Sequence, residues 1–196
     1  MHPEIISLCL FMLVTSCSPG PNNIVASYSG FNFGIIKTIP HMCGVIFGFT
    51  TLVAIMNFGL VNIFQRYPII QEILKYTGSL FLIYLAYKIS FSKSNAEDLS
   101  KSPVKFIETF FFQFINPKSV IVSVIMVSTY VDREKDFLFY SFWVIGVAFL
   151  FALISINFWT LVGKFLRRFA TNEKFIKRFN YFMSLLLLAC IATFYL

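Results

Sequence analysis

Ser18-Pro19-Gly20-Pro21-Asn22-Asn23 interrupts an apolar run, Ile5 to Phe33, that would otherwise cross a bilayer unbroken. Two prolines remove two backbone donors, and Gly20 between them admits backbone angles that other residues avoid. The reading is a broken membrane helix that stops near Ser18 and restarts with Pro21 at its first helical position, where a missing N–H costs nothing. Asn22 and Asn23 then carry the free amides of the new helix. Unpaired backbone is tolerated at membrane depth only where protein or a water-filled cavity surrounds it, so the break predicts a polar site inside the protein. A single proline would indicate no more than a kink; Pro-Gly-Pro followed by two asparagines indicates a site.

Outward from this stretch, the 196 residues are 58% hydrophobic and only 13% charged, which does not describe a soluble domain. Six apolar runs, about 5–33, 40–64, 69–91, 107–131, 137–162 and 179–196, approach or exceed the roughly 20 residues that a helix needs to cross the hydrocarbon core. They use most of the chain, so a single domain over 1–196 is expected. The first run lacks a basic leader and is longer than a signal core, so it is expected to remain as a span. Cys9, Cys17, Cys43 and Cys190 stand alone within apolar runs and form no CxxC pair. They are expected to be small buried packing residues, with no redox motif and no metal site.

The net charge of +7 is distributed by loop and not as a nucleic-acid surface. Eleven Lys and Arg lie in or beside the loops after runs one, three and five, against four in or beside those after runs two and four. Basic residues accumulate in cytoplasmic loops, so both termini should face outward. The polar stretch 92–103 reads as a cytoplasmic linker between halves of about 1–91 and 104–196, each with three runs. The second half must then be inserted upside down, which is the plan of an inverted repeat. Matches in the same order support it: Pro21-x-x-Ile24-Val25-x-Ser27 with Pro117-x-x-Val120-Ile121-x-Ser123, Gly44-Val45-Ile46-Phe47 with Gly146-Val147-Ala148-Phe149, and Tyr76-x-x-Ser79-Leu80 with Tyr181-x-x-Ser184-Leu185. The fold expected is therefore an all-α integral membrane protein of six transmembrane helices, arranged as two inverted three-helix repeats with helices 1 and 4 broken. Gly30/Gly34 and Gly44/Gly48, at i and i+4, let helices approach closely, within the bundle or in a homodimer.

Asn116-Pro117-Lys118-Ser119 repeats the logic of the first break, with Asn as cap and Pro in the first turn. Lys118 is ten residues after Glu108 and fourteen before Asp132, which puts it near the membrane centre. A lysine there costs about 2.5–3.5 kcal/mol on insertion scales and marks a functional site by default. Inversion of the halves lets the two restarting helices point their N-termini at one another. Each contributes roughly half a positive charge, and Lys118 adds a full one. The cavity between them suits an anion, and a carboxylate fits its donors. The candidate substrate-binding residues are Pro19, Gly20, Pro21, Asn22, Asn23, Asn116, Pro117 and Lys118, with the three asparagine amides suited to a polar zwitterion. All nine acidic residues lie at span ends or in loops, so no intramembrane carboxylate offers itself for a proton relay or a substrate amine. His41 and Glu108, at the starts of runs two and four, are titratable but read as loop or interface residues. No nucleophile–base constellation, phosphate-binding loop or cofactor motif is present.

At these residues the chain resembles the LysE/RhtB family of small amino-acid exporters, whose marks are Pro-Gly-Pro in the first helix and an Asn-Pro-Lys type motif in the second half. The resemblance spans the whole length and rests on Ser18-Pro19-Gly20-Pro21-Asn22-Asn23, Gly34, Gly44-x-x-x-Gly48-Phe49 and Gln113-Phe114-x-Asn116-Pro117-Lys118. Many family members carry Asp directly after the second glycine of Gly-x-x-x-Gly, where this chain has Phe49. With Pro-Gly-Pro-Asn-Asn, it is most similar to the branch that exports cysteine and O-acetylserine. The resemblance implies proton-driven efflux of a small amino acid across a bacterial inner membrane, with no nucleotide and no cofactor.

The function expected is secondary active export of small neutral amino acids by alternate exposure of the midplane cavity. The other readings are an exporter of another amino acid such as homoserine, threonine or lysine, a channel for small polar solutes, and an intramembrane enzyme. The last is disfavoured because the spans hold no paired carboxylates.

Overall fold

The computed structural model describes residues 3–90, 104–131, 137–170 and 172–195, and among them every regular element is helical. The helices are α1 (Pro3–Cys17), α2 (Pro21–Ile55), α3 (Val61–Arg66), α4 (Ile69–Ser90), α5 (Phe106–Ile115), α6 (Pro117–Tyr130), α7 (Phe137–Arg167) and α8 (Glu173–Ala192). The linker expected at 92–103, with Lys93 and Lys101, and the turn holding Asp132, Arg133 and Lys135 lie outside the described residues. Among the described residues, four helical stretches are long and apolar enough to cross a membrane, or five if α5 and α6, bent by 62° at their junction, make one span. Their outward faces carry large exposed apolar side chains, among them Phe58, Leu80 and Phe142, as a lipid-facing surface requires.

The stretch Pro21–Phe64 runs for 44 residues, roughly 66 Å as a straight helix, about twice the hydrocarbon thickness. It is not straight. Nε2 of His41 lies 3.3 Å from the carbonyl oxygen of Asn22, nineteen residues earlier, where a straight helix would set them about 28 Å apart. The chain doubles back at Gly34, the one residue of α2 outside helical angles (φ 78°, ψ 176°). A loop was expected over 34–39. The reversal instead takes a single glycine, because positive φ at such a point is free of strain only without a Cβ. Further on, α2 passes through a π-turn, Met56–Leu60, into α3.

Two apolar clusters fill the interior. One joins α1, residues 35–55, the π-turn, α6 and α7 through Leu8, Met12, Leu52, Met56, Met126 and Ile156. The other joins residues 21–33 to α4 and α8 through Val25, Phe31, Leu82, Leu85 and Leu187, with Phe31 stacked on Phe179 at 3.7 Å between ring centres. Glycines set the closest approaches. A Cβ on Gly163 of α7 would fall on the carbonyl of Ser27, and one on Gly30 on the carbonyl of Thr160. Gly44 and Gly48 abut the carbonyls of Phe106 and Phe110 on α5, each 2.7 Å from an added Cβ. These glycines therefore serve the internal bundle. Gly78 of α4 lies against the junction of α5 and α6, touching the Ile115 carbonyl and the Pro117 ring. The cysteines depart from expectation: Cys17 is exposed and Cys9, Cys43 and Cys190 are half-buried. Cys17 is the last residue of α1 and is turned away from the packed interior.

Candidate functional site

The two helix breaks meet. α1 ends at Cys17 and α2 restarts at Pro21, with the Ile24 N–H donating to the Gly20 carbonyl at 2.9 Å. The first-turn amides of Asn22 and Asn23 therefore lie ahead of the helical ladder. In the second break α5 ends at Ile115 and Asn116 caps α6, its side-chain oxygen accepting the Lys118 N–H at 3.2 Å. Its carboxamide nitrogen donates to Ser119 Oγ at 3.0 Å. Both restarts carry Pro in their first turn, as proline and asparagine chemistry dictates locally.

Gly20 is extended (φ −156°, ψ 172°), a conformation open to other residues. Its value is space, not angle. A Cβ there would sit 2.9 Å from Lys118 Nζ and 3.1 Å from its Cδ, so the lysine side chain crosses the first break directly over Gly20. The ammonium donates to Ser18 Oγ at 2.7 Å and to the Ser18 carbonyl at 3.2 Å. It thus lies against the C-terminal end of α1, where carbonyls and the helix dipole favour a cation. The breaks accordingly present both signs: two amide-bearing N-termini and two carbonyl-bearing C-termini.

A cavity of about 80 Å³ occupies the junction. At about 10–15 Å³ per water it has room for several waters, the scale of a small solute. Gly20, Pro21, Asn22, Asn23, Asn116 and Lys118 line it, with Thr15, Ser16, Gln113, Ser119 and Ser155 adding polar groups and Met12, Val45, Phe49, Val122, Ala152 and Ile156 apolar wall. Pro19 is exposed and Pro117 is packed against α4, so these two prolines shape the breaks without lining the cavity.

The three asparagines are largely occupied by the protein itself. Asn22 pairs its carboxamide reciprocally with that of Gln113, at 2.8 and 3.1 Å. Asn23 donates to the carbonyls of Ser16 and Ser18 at 2.9 and 3.1 Å and holds the end of α1 in place. Ser155 of α7 also donates to the Ser16 carbonyl, at 2.9 Å. Among the described residues, donors at the cavity left over by these bonds include the first-turn amides of α2 and the remaining ammonium proton of Lys118, a set complementary to a carboxylate.

Sequence reasoning missed Ser18, Gln113 and Ser155 as partners, and misplaced His41. That histidine is 2% exposed, buried within the bundle and not in a loop, with Nδ1 2.9 Å from Thr109 Oγ1 and Nε2 against the Asn22 carbonyl. Gln113 Nε2 donates to the Thr109 carbonyl at 3.0 Å, closing a buried ring of His41, Asn22, Gln113 and Thr109. Glu108 stays at the surface as expected, half-buried and 3.8 Å from Lys88. Among the described residues no group of His, Cys, Asp and Glu is arranged to hold a metal ion.

An apolar helical bundle with a donor-lined cavity between two broken helices has the build of a small-solute membrane transporter. The chain belongs to the LysE type translocator family, whose model matches residues 13–195, and it is accordingly a transporter and not an enzyme. It is 29% identical over 97% of its own length and 97% of theirs to the cysteine/O-acetylserine efflux proteins of Escherichia coli (strain K12), Escherichia coli O139:H28 (strain E24377A / ETEC) and Shigella sonnei (strain Ss046). No solved structure matches the chain.

Proposed function

We propose that the protein is a secondary active exporter of small neutral amino acids of the cysteine and O-acetylserine kind, driven by the proton gradient across a bacterial inner membrane. The observation that carries this reading is the lay of Lys118 across Gly20, which sets a full positive charge beside the first-turn amides of α2 in a cavity with no carboxylate in its lining. The substrate carboxylate binds there, held by the Lys118 ammonium and the first-turn amides after Pro21, with Gly20 giving the ammonium its room; the amide after Pro117 is taken by the Asn116 side chain. Phe49 stands in the cavity wall where many family members carry Asp, so nothing in the lining pairs with a cationic side chain. The relatives named above, as cysteine/O-acetylserine efflux proteins, support the same substrate class.

The transporter is one domain of six spans in two inverted halves, about 1–91 and 104–196. The reversal at Gly34 supports counting residues 21–33 and 35–55 in separate spans, the first completing the broken helix begun by α1. The site itself supports the inversion: the residue after the break proline in each half reaches the end of the interrupted helix in the other, Lys118 to Ser18 and Asn22 to Gln113. Export then proceeds by rocking of one half against the other about the two breaks, exposing the cavity to each side in turn. Both termini lie outside.

The test is a panel of labelled amino acids exported from loaded proteoliposomes. Saturable, gradient-dependent flux of cysteine or O-acetylserine is expected. Preferential export of lysine or arginine would sink the substrate assignment, and flux that neither saturates nor responds to a gradient would make the protein a channel.

A further inference from the structure

We propose that His41 is the proton-binding group of the transport cycle, taking its proton at Nδ1; this rests on the export reading above. The position is built to hold both protonation states. The Asn22 carbonyl can only accept, so Nε2 carries a hydrogen in either state. Nδ1 faces the Thr109 hydroxyl, which both donates and accepts. The neutral ring accepts from Thr109, the cationic ring donates to it, and only the hydroxyl hydrogen must turn. A buried partner that could only donate would forbid the cation, and one that could only accept would forbid the neutral form with a hydrogen on Nε2.

The location couples that proton to the cavity. Asn22 lines the cavity, bonds His41 through its carbonyl and Gln113 through its carboxamide, and begins the helix whose first-turn amides face the substrate. Gln113 also lines the cavity and is tied back to Thr109. Protonation therefore places a positive charge one residue behind the wall, in a site that already holds Lys118. A zwitterion must seat its ammonium within the same small volume, and the second charge repels it. Proton and substrate exclude one another, which is the condition for exchanging an inward proton for an outward amino acid; by linkage, each weakens the other by the same factor. Nδ1 takes a proton from water on the outward side by way of the Thr109 hydroxyl it faces and returns it to water on the other side, and nothing else is consumed.

The charged groups on α2 and on the helices around it are Lys37 on α2, Lys105 and Glu108 at the start of α5, Lys118 on α6, Lys164 and Arg167 on α7, Glu173, Lys174, Lys177 and Arg178 on α8, and Glu72, Lys75 and Lys88 on α4. Glu108 and Lys88 face one another at the surface, and Lys118 is turned to Ser18. Among the described residues, the imidazole bonds to Thr109 and the Asn22 carbonyl and to none of these charged groups.

The test uses the full chain in proteoliposomes, wild type beside His41→Gln and His41→Asn, with cysteine and O-acetylserine as probes. Two quantities are read: exchange of labelled for unlabelled substrate without a pH gradient, and accumulation against a substrate gradient driven by pH, with an interior pH dye reporting proton movement. Loss of driven accumulation and of substrate-triggered proton flux, with exchange persisting and its pH dependence flattened, is the expected result. Driven accumulation at the wild-type ratio in either variant overturns the proposal. So does loss of exchange together with drive in both variants, which makes His41 a structural residue. A wild type that exchanges without moving protons overturns this proposal and leaves the transport reading standing, whereas a wild type that exchanges neither substrate overturns both.

Discussion

Gly20→Ala isolates the contact between the lysine and the first break. The backbone at position 20 is extended and accepts alanine, so the helix ends should form as before. The new methyl would lie 2.9 Å from Lys118 Nζ and 3.1 Å from Cδ, and the side chain must withdraw by about 0.5 Å to restore ordinary contact. The ammonium is held at 2.7 Å by Ser18 Oγ and 3.2 Å by the Ser18 carbonyl, so withdrawal takes it from the position where it meets the substrate carboxylate and weakens that charge-assisted bond, worth roughly 1.5–3 kcal/mol. A flexible side chain recovers part of that, leaving a loss near the lower bound, about 1.4 kcal/mol, or tenfold in apparent affinity. The assay is the apparent KM for export from proteoliposomes, with a detergent melting curve as the control for folding. A variant that melts like wild type and exports with about tenfold weaker affinity supports the geometry. Wild-type affinity in the folded alanine variant would refute it.

Three further outcomes follow from the packing and the topology. Gly163→Ala drives a methyl into the Ser27 carbonyl, a backbone atom that cannot step aside, so α7 and α2 must separate. The melting temperature should fall, at a cost of about 1–3 kcal/mol, and an unchanged melt would contradict the close approach. Asn57, in the π-turn, is 1% exposed with neither side-chain polar atom bonded, so Asn57→Leu should remove a cost of about 1–3 kcal/mol and raise the melting temperature; a lower one would mean that the amide is satisfied in the working protein. Reporter fusions should place 92–104 and 164–178 in the cytoplasm, and finding either outside would overturn the orientation of the halves.

Both breaks could be read from the sequence because their chemistry is local. Proline, glycine and asparagine within a few residues determine where α1 stops, where α2 starts and how Asn116 caps α6. The place of Lys118 in the first turn after the second break could likewise be read from the proline before it. What could not be read is where side chains meet across the chain. Ser18 and Lys118 are one hundred residues apart, and Asn22 and Gln113 ninety-one, so no periodicity signals either pair. His41 looked like an interface residue because a loop was expected over 34–39. Once a single glycine makes the reversal, the following helix begins at once and carries His41 inward against Asn22. The role of Gly20 was misread for a related reason: its angles are ordinary, and the need for glycine comes from a lysine in the other half of the chain.

The most direct test of the account is Lys118→Gln, assayed for cysteine and O-acetylserine export from proteoliposomes beside wild type. Removing the charge eases insertion by up to about 3 kcal/mol, so the variant should accumulate normally in the membrane. Export should nevertheless collapse, because the substrate carboxylate loses its one full counter-charge, and Lys118→Arg should rescue it poorly, since a planar guanidinium does not replace a compact ammonium over Gly20. Normal accumulation with wild-type export rate and apparent affinity would show that Lys118 is not the anion site.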